Sequence, residues 1–319
     1  MFALLLMIGC GDGQVKDTGD SNQPPPCDIT ITKTTPDNGE DAAYYRSTVE
    51  FHLSEADESA TVLADVDGVQ SERNSGSVII FTPNLPLDPQ TGYAFSLEYC
   101  RGIATIEFTT SDLGEPLDNP ALLEGLSFSL DLNTAEPKAG EQVAETAAAF
   151  FNRNLLASVL QANDSWLWVR IGAADASDPS QQDFCSRTLD LPSAEFTSSP
   201  FFELASDAVN FNAYAASISL LRLEVTGTFA ADGSRVGGIT FNTILDARDL
   251  AELIPGQSAD SLCEITSNLY MDCEACPTDG EAWCFTMAFD QLAGSEVDLD
   301  LEEILEAETD PRCDTTEED

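Results

Sequence analysis

Positive charge is scarce in this chain: 13 Lys and Arg stand against 57 Asp and Glu in 319 residues, a formal net charge of −44. Proteins that track a phosphate backbone neutralise it with Lys and Arg, so nucleic acid is excluded as a partner. Histidine is nearly absent. His52 is the single one, and a Ser-His-Asp or Cys-His site needs that imidazole as its base. His52 lies in the alternating run Val49 to Leu53, on the same polar face as Glu50, which reads as a surface position on a strand. Lysine is confined to Lys16, Lys33 and Lys138, so lysine-assisted serine chemistry has no support. No GxSxG, HExxH, Walker or GxGxxG run stands in its proper context. Long apolar runs are missing too. The longest, Met1 to Ile8, has eight residues, far short of the about 20 that span a bilayer as a helix.

What the chain does have is core-forming material. At 43% hydrophobic residues it is not a disordered polymer, and its length suggests about two domains. The opening apolar run ends at Gly9-Cys10, after which the composition turns polar. A short apolar stretch ending at a small residue reads as a secretion signal. The run Leu6-Met7-Ile8-Gly9-Cys10 resembles the bacterial lipoprotein box, with Met7 where Leu is usual and no basic residue ahead of it. The resemblance implies removal of residues 1–9, acylation of Cys10, and attachment to a membrane through that lipid. Residues Gly11 to Pro26, rich in Gly, Asp, Ser and Thr and ending in three prolines, have the composition of a tether. Gly11 after the cysteine, by analogy with Gram-negative lipoproteins, implies sorting to the outer membrane.

Setting Cys10 aside leaves eight cysteines: Cys27, Cys100, Cys185, Cys263, Cys273, Cys276, Cys284 and Cys313. An even number in an exported chain fits a disulfide framework. Cys27 and Cys100 bracket the first domain and are expected to pair with each other; the other six allow fifteen pairings. Cys273-Glu-Ala-Cys276, with Cys284 nearby, also has the spacing of a zinc site or a thioredoxin-like motif. Its acidic, Gly- and Pro-bearing surroundings would raise thiol pKa values, which favours structural disulfides.

From Cys27 to Asp112 short alternating runs are broken by turn residues, the pattern of an all-β sandwich. Strands are expected at Asp28–Lys33, Thr48–Leu53, Thr61–Val66, Val78–Thr82, Tyr93–Tyr99 and Ala104–Thr109. The ordered landmarks are Thr35-Pro36-Asp37-Asn38-Gly39; Val49 to Leu53 followed by Ser54-Glu55; Val78-Ile79-Ile80-Phe81-Thr82-Pro83; Leu87; Gly92-Tyr93; and Ile106-Glu107-Phe108-Thr109-Thr110. Together they resemble the bacterial Ig-like domain of the S-layer protein SbsA type over residues 29–110. That resemblance implies an extracellular spacer or binding module and does not imply catalysis.

Leu113 to Pro120 reads as a linker, residues 113–294 as a second domain, and 295–319 as an acidic strand and tail. Strands are expected at Leu126–Leu132 and Trp166–Ile171, and a hairpin at Ile218–Phe229 with Val236–Leu245. Closing strands are expected at Cys284–Phe289 and Glu296–Leu301, and helices over Gly140–Leu160 and Asp260–Met271. The expected fold class is multidomain: an all-β Ig-like sandwich followed by an α+β domain with an antiparallel sheet and disulfides.

Three constellations invite chemistry. Asp175, Asp178 and Asp183, or Asp65 and Asp67, are exposed aspartates of the kind that ligate Ca2+, with turn formation as the alternative. Trp166, Trp168, Phe201 and Phe202 offer an aromatic platform or core packing. Phe151, Leu155, Leu221 and Val225 would line an apolar cavity if the second domain had one. With 57 carboxylates, a hydrolytic pair cannot be singled out. The expectation is a non-enzymatic, lipid-anchored envelope protein: an Ig-like spacer or adhesion module presenting a domain that binds a ligand, another envelope protein or a surface polymer. Binding of an apolar or lipid ligand is the first alternative, and a carboxylate-dependent envelope hydrolase is the second.

Overall fold

The computed structural model describes residues 27–137, 154–213, 216–253, 256–268, 272–305 and 312–313. Cys10, the tether and most of the expected 140–160 helix lie outside them.

In the first half, two antiparallel sheets share one core. Strands β1 (Ile31–Thr35), β2 (Val49–Leu53), β3 (Thr61–Ala64), β4 (Gly68–Arg73), β5 (Val78–Pro83), β6 (Gly92–Tyr99) and β7 (Gly102–Thr109) form a four-stranded sheet, β1-β2-β5-β4, and a three-stranded sheet, β3-β6-β7. Val49, Phe51 and Leu53 alternate inward from β2 to meet Ile79, Phe81, Phe95, Leu97, Ile106 and Phe108. The period of two that placed these side chains on one face in the sequence does so here. Strand β4 was not expected. It is an edge strand with almost every side chain exposed, so it carries no hydrophobic alternation.

The second half is a closed barrel. Its strands are β8 (Ser127–Asp131), β10 (Leu155–Ala162), β11 (Trp166–Ala173), β13 (Ala194–Glu195), β14 (Phe201–Ala213), β15 (Ala216–Phe229), β16 (Arg235–Asp246) and β17 (Cys284–Val297). Each pairs antiparallel with the next, and β17 returns to pair with β8. Two-residue strands β9 (Glu136–Pro137) and β12 (Leu189–Asp190) pair at its margin. The expected α+β layout is therefore corrected to an eight-stranded up-and-down barrel. Among the described residues the α-helices are α1 (Ala247–Leu253) and α2 (Ala259–Asn268). Residues 155–160, expected at the end of a helix, belong to β10. That strand is buried on both faces: Leu155 and Val159 face the interior, while Leu156 packs outward against Leu301 and Ala174. A strand covered on both sides reads as a continuous apolar run, which is easily taken for a buried helix. The expected closing strand Cys284–Phe289 is the first part of one longer strand, β17, which runs through the boundary placed at 294 and ends at Val297, so only the first two residues of the expected strand Glu296–Leu301 are strand.

Four disulfides tie the described chain: Cys27–Cys100, Cys185–Cys313, Cys263–Cys273 and Cys276–Cys284. The second holds the C-terminal segment against the barrel across 128 residues of sequence. The last two pin α2 and the loop before β17 beside β15 and β16.

The two halves meet at one end of the barrel. Tyr44 donates or accepts a 2.8 Å hydrogen bond with Thr228, Arg46 lies 3.7 Å over the ring of Phe201, and Asp112 pairs with Arg235. Tyr45, Leu113 and Ala230 close a small buried cluster between them. The expected linker is thus packed at its start, not suspended.

Candidate ligand-binding cavity

Apolar side chains point into the barrel from all eight strands. On β11 the interior set is Leu167, Val169 and Ile171, and on β14 it is Phe202 and Leu204. The outward set on β14 and β15 includes Glu203, Asp207, Arg222 and Glu224, all exposed. Apolar inside and charged outside is the reverse of a membrane-spanning barrel.

Simple alternation fails at three places, and each failure builds the interior. In β15, β16 and β17 the inward residues are Leu220 and Leu223, Val236 and Ile239, and Phe289 and Leu292, each pair three apart. Between them sit Arg222 (φ 50°), Gly238 (φ 57°) and Gln291 (φ 61°), all in the left-handed region. Register shifts accompany them on β15 and β16. These are bulges, which insert one residue and bend the strand. The consequence for the expected cavity residues is direct. Leu155 and Val225 line the interior, whereas the bulge at Arg222 turns Leu221 outward against the Cys276–Cys284 disulfide. Phe151 lies outside the described residues.

One end of the barrel is floored by aromatics. Phe229 sits 5.4 Å from Phe128, 5.4 Å from Phe202 and 6.1 Å from Phe196, centroid to centroid. Leu123, fully buried, lies with them in the same core. Above the floor the barrel is not filled: a cavity of about 440 Å3 runs toward Leu132, Ala135, Leu220 and Met287 at the other end. Among the described residues every side chain lining it is apolar. An eight-stranded barrel is just wide enough either to fill with side chains or to hold one small ligand, and this volume lies within the range of ordinary ligand pockets.

The other candidates resolve into structure. Cys273 and Cys276 belong to different disulfides, so neither a zinc site nor a CxxC redox pair is assembled. Asp175 and Asp178 each accept hydrogen bonds from the backbone and hydroxyl of the serine two residues on, and Asp183 accepts from Cys185 N and Ser186 Oγ. The hydroxyl and backbone of Ser180 hold the Asp178 carboxyl below its ordinary pKa. These are turn-forming aspartates. Trp166 and Trp168 stand on the outer face of β11, and Trp168 donates to the Leu191 carbonyl. Phe201 faces Arg46 and Phe202 faces the cavity, so the four aromatics form no platform. His52 Nε2 is 3.1 Å from Glu50 Oε2, which Arg73 of β4 also reaches at 2.8 Å, a polar cluster on the outer face of the first sheet.

No family model matches the chain, and no curated protein matches it. Among solved structures, domains 5–6 of the S-layer protein SbsC are 12% identical, covering 67% of this chain and 88% of that fragment, with a TM-score of 0.20. Domains 4–9 of surface layer protein SbsC are 13% identical, covering 67% and 28% respectively, with a TM-score of 0.21. Among the described residues no helix is long and apolar enough to cross a membrane.

Proposed function

We propose that this chain is a non-enzymatic apolar-ligand-binding protein of the cell envelope, with the barrel as its binding unit. In this reading acylated Cys10 anchors it in the outer membrane, and the first half is an SbsA-type Ig-like spacer docked on the barrel's closed end. The observation that supports it is the cavity. An unfilled apolar interior costs stability, because its lining forgoes packing contacts. A barrel of this size can be filled by its own side chains, and here Ala135, Ala157 and Ala194 stand at wall positions instead.

The test is a titration of the full chain with a neutral naphthylamine fluorophore. Saturable binding of one fluorophore per chain is expected, and it should be lost when Ala157→Phe and Ala194→Phe together fill the wall without changing the far-UV circular dichroism. Absence of binding, or binding that survives the filled wall, would overturn the reading.

A further inference from the structure

Resting on the reading above, we infer that the cavity's occupant is a single uncharged hydrocarbon chain of about 18 carbons, such as a fatty alcohol or its ester, and not a free fatty acid. The size comes from volume. An apolar cavity of about 150 Å3 takes one benzene, roughly 25 Å3 per carbon. On that scale the 440 Å3 here holds about 18 carbons.

The charge state comes from the wall. Among the described residues no Lys, Arg, Ser, Thr, Asn, Gln or Tyr side chain lines the cavity, so a carboxylate drawn against this wall would find neither a counter-ion nor a side-chain donor, and such burial is prohibitive. A chain that fills the space would leave its head beside Leu132, Ala135, Leu220 and Met287, which are apolar as well. Three arginines of the described second half are held by carboxylates. Arg170 is held by Asp190, Arg235 by Asp112, and Arg248 by Asp246 and Asp279. The net charge of −44 sets a field that disfavours anions around the whole molecule.

The experiment displaces the naphthylamine fluorophore from the full chain with saturated primary alcohols and with the matching carboxylates. With alcohols of about 8 to about 24 carbons, affinity should rise about fourfold per methylene, then stop rising near about 18. The carboxylate of equal length should bind at least about tenfold more weakly. Ala157→Phe, which adds one ring to the wall, should move the break to about 12 carbons. A break at another length, a break unmoved by Ala157→Phe, or a carboxylate that equals its alcohol would overturn this inference while leaving apolar binding intact. Failure of the fluorophore itself to bind would instead remove the reading on which it rests.

Discussion

Substituting Gly238 by alanine should uncouple the two halves. The residue sits in the β16 bulge at φ 57°, where a side chain costs about 1 kcal/mol. An added Cβ would also run into the ring of Tyr44, touching its Cζ and both Cε atoms. That is the body of a ring, not the tip of a flexible chain, so Tyr44 has to leave. Its departure breaks the hydrogen bond to Thr228, worth about 1 kcal/mol, and loosens the edge-on packing against Tyr45, worth about 0.5–1.5 kcal/mol. The total loss should be about 3 kcal/mol. All three tryptophans, Trp166, Trp168 and Trp283, lie in the second half, so urea unfolding followed by their fluorescence reports the barrel side. In a Tyr44→Ala background the same Gly238→Ala change should cost only the backbone strain, about 1 kcal/mol. An equal loss in both backgrounds would refute the argument that Tyr44 is the obstacle.

Replacing Phe229 with alanine removes the ring on which Phe128, Phe196 and Phe202 converge and should cost about 4 kcal/mol, seen as a lower urea midpoint in tryptophan fluorescence. The Cys27→Ala, Cys100→Ala double variant opens a loop of 73 residues and should destabilise the first half by about 4 kcal/mol, read from its tyrosine signal. Burial raises the Tyr44 phenol above its ordinary value, the Thr228 hydrogen bond partly opposing the rise. Its stabilising effect is therefore complete below about pH 10 and falls as the pH climbs further, because the unfolded phenol ionises first. Tyr44→Phe should show a shallower alkaline loss of stability than the parent chain, and an unchanged slope would contradict the assignment.

Much of the first half was legible because its strands are covered on one face only. Val49, Phe51 and Leu53 alternate with Glu50 and His52, and the turns Asp67-Gly68 and Asn74-Ser75-Gly76 punctuate them. Strand β4 between those turns was not legible, since an exposed edge strand such as Gly-Val-Gln-Ser-Glu-Arg has no apolar face to betray it. In the barrel the hairpin of β15 and β16 was visible as two long apolar segments about a tight loop. The closure was not. Strand β10 is covered outside by the C-terminal segment as well as inside, so its sequence lacks a period of two. The cavity was legible in part, through Leu155 and Val225. Leu221 was misassigned because nothing in Leu220-Leu221-Arg222-Leu223 announces that Arg222 takes a left-handed conformation and shifts the register by one. Positive φ at a non-glycine residue is a tertiary outcome, and it decided which leucine faces the ligand space.

Whether the barrel interior takes an apolar guest can be read residue by residue from methyl NMR of the full chain titrated with a saturated long-chain alcohol. Saturable shifts are expected at methyls of Val225, Leu204, Val169 and Ala157, with none at Leu53, Ile79 or Leu97 in the core of the first half. Shifts spread over both cores, or none in the barrel, would contradict binding inside the barrel.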